Sequence, residues 1–284
     1  MNKRKLAAVI AAAAAALLSA AAALAQENDG LEGLRPPDAK PNVWYLEGYP
    51  DWSGQWRFTG PNQWPLRAQA PLTEEGKAIN AAGLADREAG GQGGDPTWRC
   101  IPPGMPRNMK AIGVFDITIT PEHTLMYFEY QSQVRRIYTD GRGYPEYLEP
   151  TFNGYSIGEW LDTDNNGALD TLTIETRGLK NPRSYDSGGL PLGDTDVIRE
   201  RVWLDESTGL LHDELTIEDS LLTEPWTSSL EYARNHEPYW SEYVCQEGNL
   251  LIEVGGQMYM LSHDGSTLYP TTPNQPPPAY SGGN

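Results

Sequence analysis

Histidine, cysteine and phenylalanine are scarce in this chain. Four His, two Cys and four Phe stand among 284 residues, against nine Trp and fifteen Tyr. His123, His212, His236 and His263 are far apart and show no H-x-x-x-H spacing, and two thiols alone do not furnish a structural zinc site. Zinc is therefore not expected. No P-loop, dinucleotide fingerprint or G-x-S-x-G elbow is present, so no cofactor motif defines an activity. Basic residues are also in deficit: 21 Lys and Arg against 39 Asp and Glu leave a formal charge of −18. That balance argues against nucleic acid and anionic membrane as partners, since both need basic patches. Past residue 25 no apolar run approaches the roughly 18 residues of a spanning helix, and helical periodicity is nearly absent.

The N-terminus carries a different pattern. Lys3, Arg4 and Lys5 precede an Ala/Leu-rich run that ends in Ala23-Leu24-Ala25, an A-x-A cleavage site. Residues 1–25 read as a signal peptide, and the mature protein as periplasmic or secreted, with no membrane anchor after cleavage. Losing three positive charges takes the balance from −18 to about −21. In an oxidising compartment Cys100 and Cys245 read as one disulfide. The excess of Trp and Tyr over Phe suits surfaces and pockets that stack on polar ligands.

Residues 26–43, with Pro36, Pro37 and Pro41, read as a flexible linker. A single β-rich domain is expected over 44–265, followed by a disordered Pro-rich tail, 266–284. Thr73 caps one short helix from Glu74 to Leu84, with carboxylates in its first turn. From Val114 onward short strands alternate with turns. They are expected at Phe115–Thr120, Thr124–Tyr130, Val134–Thr139, Tyr155–Leu161, Thr171–Thr176, Val197–Leu204, Leu210–Ile217, Thr227–Ala233 and near Gln257–Ser262. Asp140-Gly141, Asn166-Gly167 and Ser207-Thr208-Gly209 are hairpin signals. The fold class is mostly β: an antiparallel meander, curled or closed to hide its edges.

The strand Val134–Thr139 is the most informative stretch. Alternation groups Val134, Arg136 and Tyr138 against Arg135, Ile137 and Thr139, so each face carries one guanidinium. A buried Arg needs a carboxylate partner. In Val197–Trp203, alternation puts Glu200 on the apolar face with Ile198 and Val202, which makes it the preferred bidentate partner of the inward Arg. Two readings follow. Arg136, Tyr138 and Trp226 line a cavity and hold a ligand, or an internal ion pair fixes strand register.

Asp162, Asp164, Asn166, Gly167 and Asp170 match positions 1, 3, 5, 6 and 9 of a calcium loop. Position 12, normally a bidentate Glu, is Thr173. The loop is thus a candidate calcium site or a solvated acidic turn. Carboxylates lie along many strands, and a pair facing a pocket would serve as general acid and base. Glu129 and Glu200 are the catalytic candidates.

Gly54-x-Trp56, entering a first strand, resembles the lipocalin-type barrel, in which the Trp plugs one end. A wider set of runs resembles a large group of exported bacterial β-rich proteins of uncharacterised function. The set comprises Asp51-x-Ser-Gly-x-Trp56, Arg99-Cys-x-Pro-Pro-Gly-x-Pro106, Arg136-Ile-Tyr-x-Asp-Gly-Arg142, Gly154-x-Ser-Ile-Gly-x-Trp160, Pro225-Trp-Thr227 and Glu242-Tyr-x-Cys-x-Glu-Gly-Asn249. The resemblance implies an exported β domain and no particular reaction. Tyr155, Gln246 and Leu192-Gly193-Asp194 stand where histidine-containing segments are usual in the group, which argues against His-dependent catalysis here. The Asp162 loop looks like an insertion.

Three functions remain open on these grounds. The first is binding of a small molecule in a barrel cavity. The second is a hydrolase or lyase using paired carboxylates. The third is an envelope interaction module without a cavity. A deep pocket, a close carboxylate pair in a pocket, or a filled barrel with an exposed aromatic patch would favour each in turn.

Overall fold

The computed structural model describes residues 46–60, 70–110, 112–236, 240–241, 243–245, 250–255, 257–261 and 268–270. The stretches read as signal peptide and linker, and most of the one read as a Pro-rich tail, lie outside the described residues.

Nine strands close into a barrel. They are β1 (Gln55–Phe58), β2 (Val114–Ile119), β3 (His123–Phe128), β4 (Gln133–Tyr138), β5 (Tyr155–Leu161), β6 (Thr171–Arg177), β9 (Thr195–Asp205), β10 (Leu210–Asp219) and β11 (Trp226–Asn235), with β7 (Arg183–Ser184) and β8 (Pro191–Leu192) forming a small separate hairpin. The order around the barrel is β1-β11-β10-β9-β6-β5-β4-β3-β2, and β1 closes it by pairing with both β11 and β2. Closure leaves this nine-stranded sheet without an unpaired edge. Alternation sets the inward faces. Leu211, Asp213, Leu215 and Ile217 of β10 are buried, as are Trp226, Ser228, Leu230 and Tyr232 of β11.

One neighbour pair departs from the expected antiparallel meander. Strands β4 and β5 run parallel, with Ile137 beside Ser156 and Tyr138 beside Ile157. Parallel neighbours need a crossover, so residues 139–154 form one and Asp140-Gly141 does not close a hairpin. Gly158 makes the junction tight: a Cβ there would meet Ile137 Cγ2 at 2.7 Å. The Asn166-Gly167 and Ser207–Gly209 turns do join antiparallel pairs, β5–β6 and β9–β10.

The two ends of the barrel are finished differently. At one end Trp56 is fully buried, its indole N–H donates to the Trp52 carbonyl, and the Arg234 guanidinium lies 4.4 Å from its ring centre. Trp52 and Trp160 pack beside it, with ring centres 4.8 Å apart. Trp226, at the opposite end of β11, packs on Tyr185 at 4.4 Å. There the segment Arg99–Pro106 turns into the barrel and continues as a short 3-10 helix, Arg107–Lys110. Met105 and Met109 are fully buried and belong to the hydrophobic core.

The helix expected after Thr73 is present as α1 (Glu74–Glu88), capped by the Thr73 hydroxyl accepting from Gly76 N–H at 3.1 Å. A separate sheet contains β12 (Leu250–Val254), β13 (Gln257–Leu261) and β14 (Leu268–Pro270). Strand β14 falls within the stretch expected to be tail, because Tyr259, Met260 and Leu261 offer it a pairing edge. Cys100 and Cys245 form the expected disulfide.

Candidate functional site

Six neighbouring strands and the inserted segment contribute one polar cluster inside the barrel. Arg135 of β4 is 1% exposed. Its guanidinium makes a bidentate pair with Glu200 of β9, NH1 donating to Oε1 at 2.8 Å and NH2 to Oε2. NH2 also donates to Thr176 Oγ1 of β6 at 2.9 Å, and Nε to Ser156 Oγ of β5 at 3.3 Å. The Ser156 and Thr176 hydroxyls lie 2.8 Å apart. Arg135 therefore has a partner on every side, which is the condition for tolerating a buried charge.

Asp213 of β10 lies diagonally across from Glu200 on the same inward face, since Glu200 stands opposite Leu215 and Asp213 opposite Val202. Tyr232 of β11 donates its hydroxyl to the Met109 carbonyl at 2.8 Å, and that hydroxyl sits 3.5 Å from Asp213 Oδ2. Asp213 Oδ1 is buried without a hydrogen-bond partner. Desolvation, reinforced by the Glu200 carboxylate, raises the Asp213 carboxyl well above the ordinary range. Two neighbouring acids thus differ in environment: Glu200 is ion-paired, while Asp213 is pushed towards its neutral, proton-donating form.

This difference has a measurable consequence. A carboxyl whose folded pKa is raised adds stability that is complete below its unfolded value, near 3.8, and is lost as pH rises through the folded value. Asp213→Asn removes that titration. The stability of the wild type relative to the variant is expected to fall as pH rises, by about 1.4 kcal/mol for each unit of upward displacement. Urea denaturation at a series of pH values checks this, and a pH-independent difference would contradict the assignment.

A second charged group closes the mouth. Arg107 pairs with Asp95 in bidentate fashion, NH2 to Oδ2 at 2.9 Å, and donates to Ser184 Oγ at 2.9 Å. The Lys110 ammonium lies 3.7 Å from the Tyr185 ring centre. Burial pushes Lys110 well below the usual lysine range, against the pull of the Asp186 carboxylate. Arg183 is lowered to about 10 by burial and donates to the Met105 carbonyl and Thr195 Oγ1, each at 2.8 Å. These bonds fix the inserted segment over the interior cluster.

The residues expected to form a site are only partly together. Glu200 takes the inward position and the bidentate partner expected of it. Its partner is Arg135, not Arg136. Val134, Arg136 and Tyr138 face outward: Val134 is 49% exposed, and Tyr138 stacks on Tyr155 with ring centres 4.9 Å apart. The inward face is the one that buries Ile137 completely and brings its Arg to a carboxylate. Trp226 is inward but sits in the packed end, against Tyr185. Glu129 is away from the cluster, where its Oε2 accepts the Val114 N–H at 3.0 Å and caps β2.

Asp162, Asp164 and Asp170 each bring a carboxylate oxygen to within 4.8 Å of the others. The loop's own bonds already use them. Asp162 accepts from Asn166 and Gly167 N–H, Asn166 Nδ2 donates to Asp164, and Asp170 accepts from Thr163. Thr173 lies in β6 with its hydroxyl on the Glu159 carbonyl. The set offers calcium three carboxylates and no bidentate ligand at position 12.

Asp213, Tyr232 and Lys110 were not singled out by sequence reasoning. Asp213 carried the same mark as Glu200, an acid at an apolar-face position between Leu211 and Leu215. Lys110 carried none, since its burial comes from the inserted segment. Neither protein-family models nor curated proteins yield a match to this chain.

Proposed function

We propose that this is an exported barrel protein that binds a small, uncharged, hydrogen-bonding molecule inside the barrel, at the Asp213–Glu200–Arg135 cluster beneath the inserted segment. The carrying observation is the unpartnered Asp213 Oδ1, joined by the equally buried and unpartnered Thr124 hydroxyl of β3. Native interiors leave few such atoms without protein, water or ligand partners. The charge balance supports a neutral ligand. Arg135 is committed to Glu200 and Arg107 to Asp95, so neither guanidinium is left for an anion. Entry requires the segment around Met105–Lys110 to lift. Export is supported by the leader pattern at residues 1–25 and by the Cys100–Cys245 disulfide. Among the described residues no helix is long and apolar enough to cross a membrane.

A second reading rests on the acid pair. An Asp213 carboxyl raised above the ordinary range beside an ion-paired Glu200 is the asymmetry that general acid catalysis uses, and it would turn the bound molecule into a substrate.

Native mass spectrometry of the mature protein, released gently from its own cell envelope, tests both. Binding predicts a retained small molecule on the wild type that is reduced in Asp213→Asn and Thr124→Val. Conversion of that molecule by the wild type and not by Asp213→Asn would establish the second reading. A bare mass, with no thermal shift from a panel of neutral polyols and sugars, would contradict both.

A further inference from the structure

The outer wall of the barrel carries a site of different chemistry. Asp116 of β2 stands opposite Tyr127 of β3, and Tyr127 opposite Val134 of β4, so the three form one row across the outer face. Trp240, in the segment after β11, comes over this row, and with Gln133 they line a groove of about 260 Å³. Two anchors lie close to Trp240 in sequence. Tyr243 packs on Tyr130 with ring centres 5.1 Å apart, and Cys245 is held by its disulfide to Cys100.

Asp116 gives the groove its character. Its Oδ1 is buried and accepts no hydrogen bond, and among the described residues no Lys, Arg or His pairs with it. Burial raises its carboxyl, and no neighbouring charge is a cause. A half-buried acid with no counter-charge among the described residues has lost part of its hydration, and a cation in the groove would answer it. The Tyr127 and Trp240 rings beside it remain 37% and 39% exposed, so their faces are accessible. Ring faces attract cations, and ammonium groups held by aromatic walls and a carboxylate are a recurrent recognition mode. The volume suits a molecule of few heavy atoms. The net charge of −18 raises the local concentration of cations around the whole protein.

We propose that this groove binds a small organic ammonium ion, with Asp116 as its counter-ion and Tyr127 and Trp240 as its aromatic walls. The row of aromatic residues alone would read as an ordinary exposed patch; the unanswered carboxylate among them is what selects a cation over a neutral ligand or an apolar partner. The groove lies on the outer wall and does not share residues with the interior cluster, so the proposal stands independently of the reading given above.

The test is isothermal titration calorimetry of the mature protein with tetramethylammonium and benzylammonium chlorides, against sodium chloride at equal ionic strength. Saturable binding of the ammonium salts and not of sodium is expected. Asp116→Asn, which is isosteric and removes an unpaired acid, should fold at least as stably and weaken binding by about tenfold or more. Tyr127→Leu should also weaken it, and serves as the second variant if the first loses its fold. Absence of saturable heat with either ammonium salt, or equal affinity in wild type and a folded Asp116→Asn, would overturn the proposal.

Discussion

Arg135→Ala is expected to destabilise the protein by about 3–5 kcal/mol, while Arg136→Ala at the next position changes stability by no more than about 0.5 kcal/mol. The two residues have the same side chain and are adjacent in one strand. Only Arg135 points inward, and removing it leaves the Glu200 carboxylate buried with no opposing charge. Thr176 and Ser156 lose a charged donor as well. Glu200→Ala should cost a similar amount, by stranding the guanidinium. The double variant Arg135→Met/Glu200→Leu should recover much of the loss, because an apolar pair of similar volume avoids the desolvation cost of two ions. Urea denaturation of the four variants measures all of this. Equal effects of Arg135→Ala and Arg136→Ala would mean that strand β4 is in the opposite register.

The second large effect is covalent. Replacing Cys100 and Cys245 together by serine opens a loop whose ends are separated by 145 residues in sequence. On the chain-entropy relation that loop contributes about 5 kcal/mol. The bond also joins residues next to both proposed sites. Cys100 directly follows the short helix Pro96–Arg99 at the root of the inserted segment, and Cys245 ends the stretch that carries Trp240. The double serine variant is therefore expected to lose about that stability and to bind the ammonium probes more weakly. A loss below about 1 kcal/mol in denaturation of reduced and oxidised protein would show that packing alone holds both segments.

Much of the barrel was legible in the sequence, because one-sided strands announce their faces. In β9, Ile198 and Val202 flank Glu200, so the acid had to be inward and in need of a partner. Strand β4 offered no such contrast. Val134, Arg136 and Tyr138 make as plausible an apolar face as Arg135 and Ile137, and the choice is made across the barrel by Glu200. The parallel β4–β5 pairing was hidden for a related reason. Asp140-Gly141 is good local hairpin chemistry, but the chain uses it inside a crossover whose direction depends on where β5 docks. The inserted segment was the least legible of all. Arg99–Lys110 has no apolar period, and its burial of Met105, Met109 and Lys110 follows from the space left inside a closed barrel.

The exposed ion pairs on the wall illustrate the contrast between surface and interior. Asp140 is held down at about 2 by hydrogen bonds from Arg142, yet both groups are open to solvent and their pair adds little to stability. Inside the barrel the same two chemistries decide which face of β4 is buried, and burial with the Glu200 carboxylate raises Asp213.

That raised carboxyl is the central claim, and carbon-13 NMR of protein labelled at the aspartate side-chain carboxyls tests it most directly. The structure predicts one carboxyl that titrates at higher pH than the exposed aspartates, and that disappears from the spectrum of Asp213→Asn. An Asp213 carboxyl that titrates together with the exposed aspartates would contradict it.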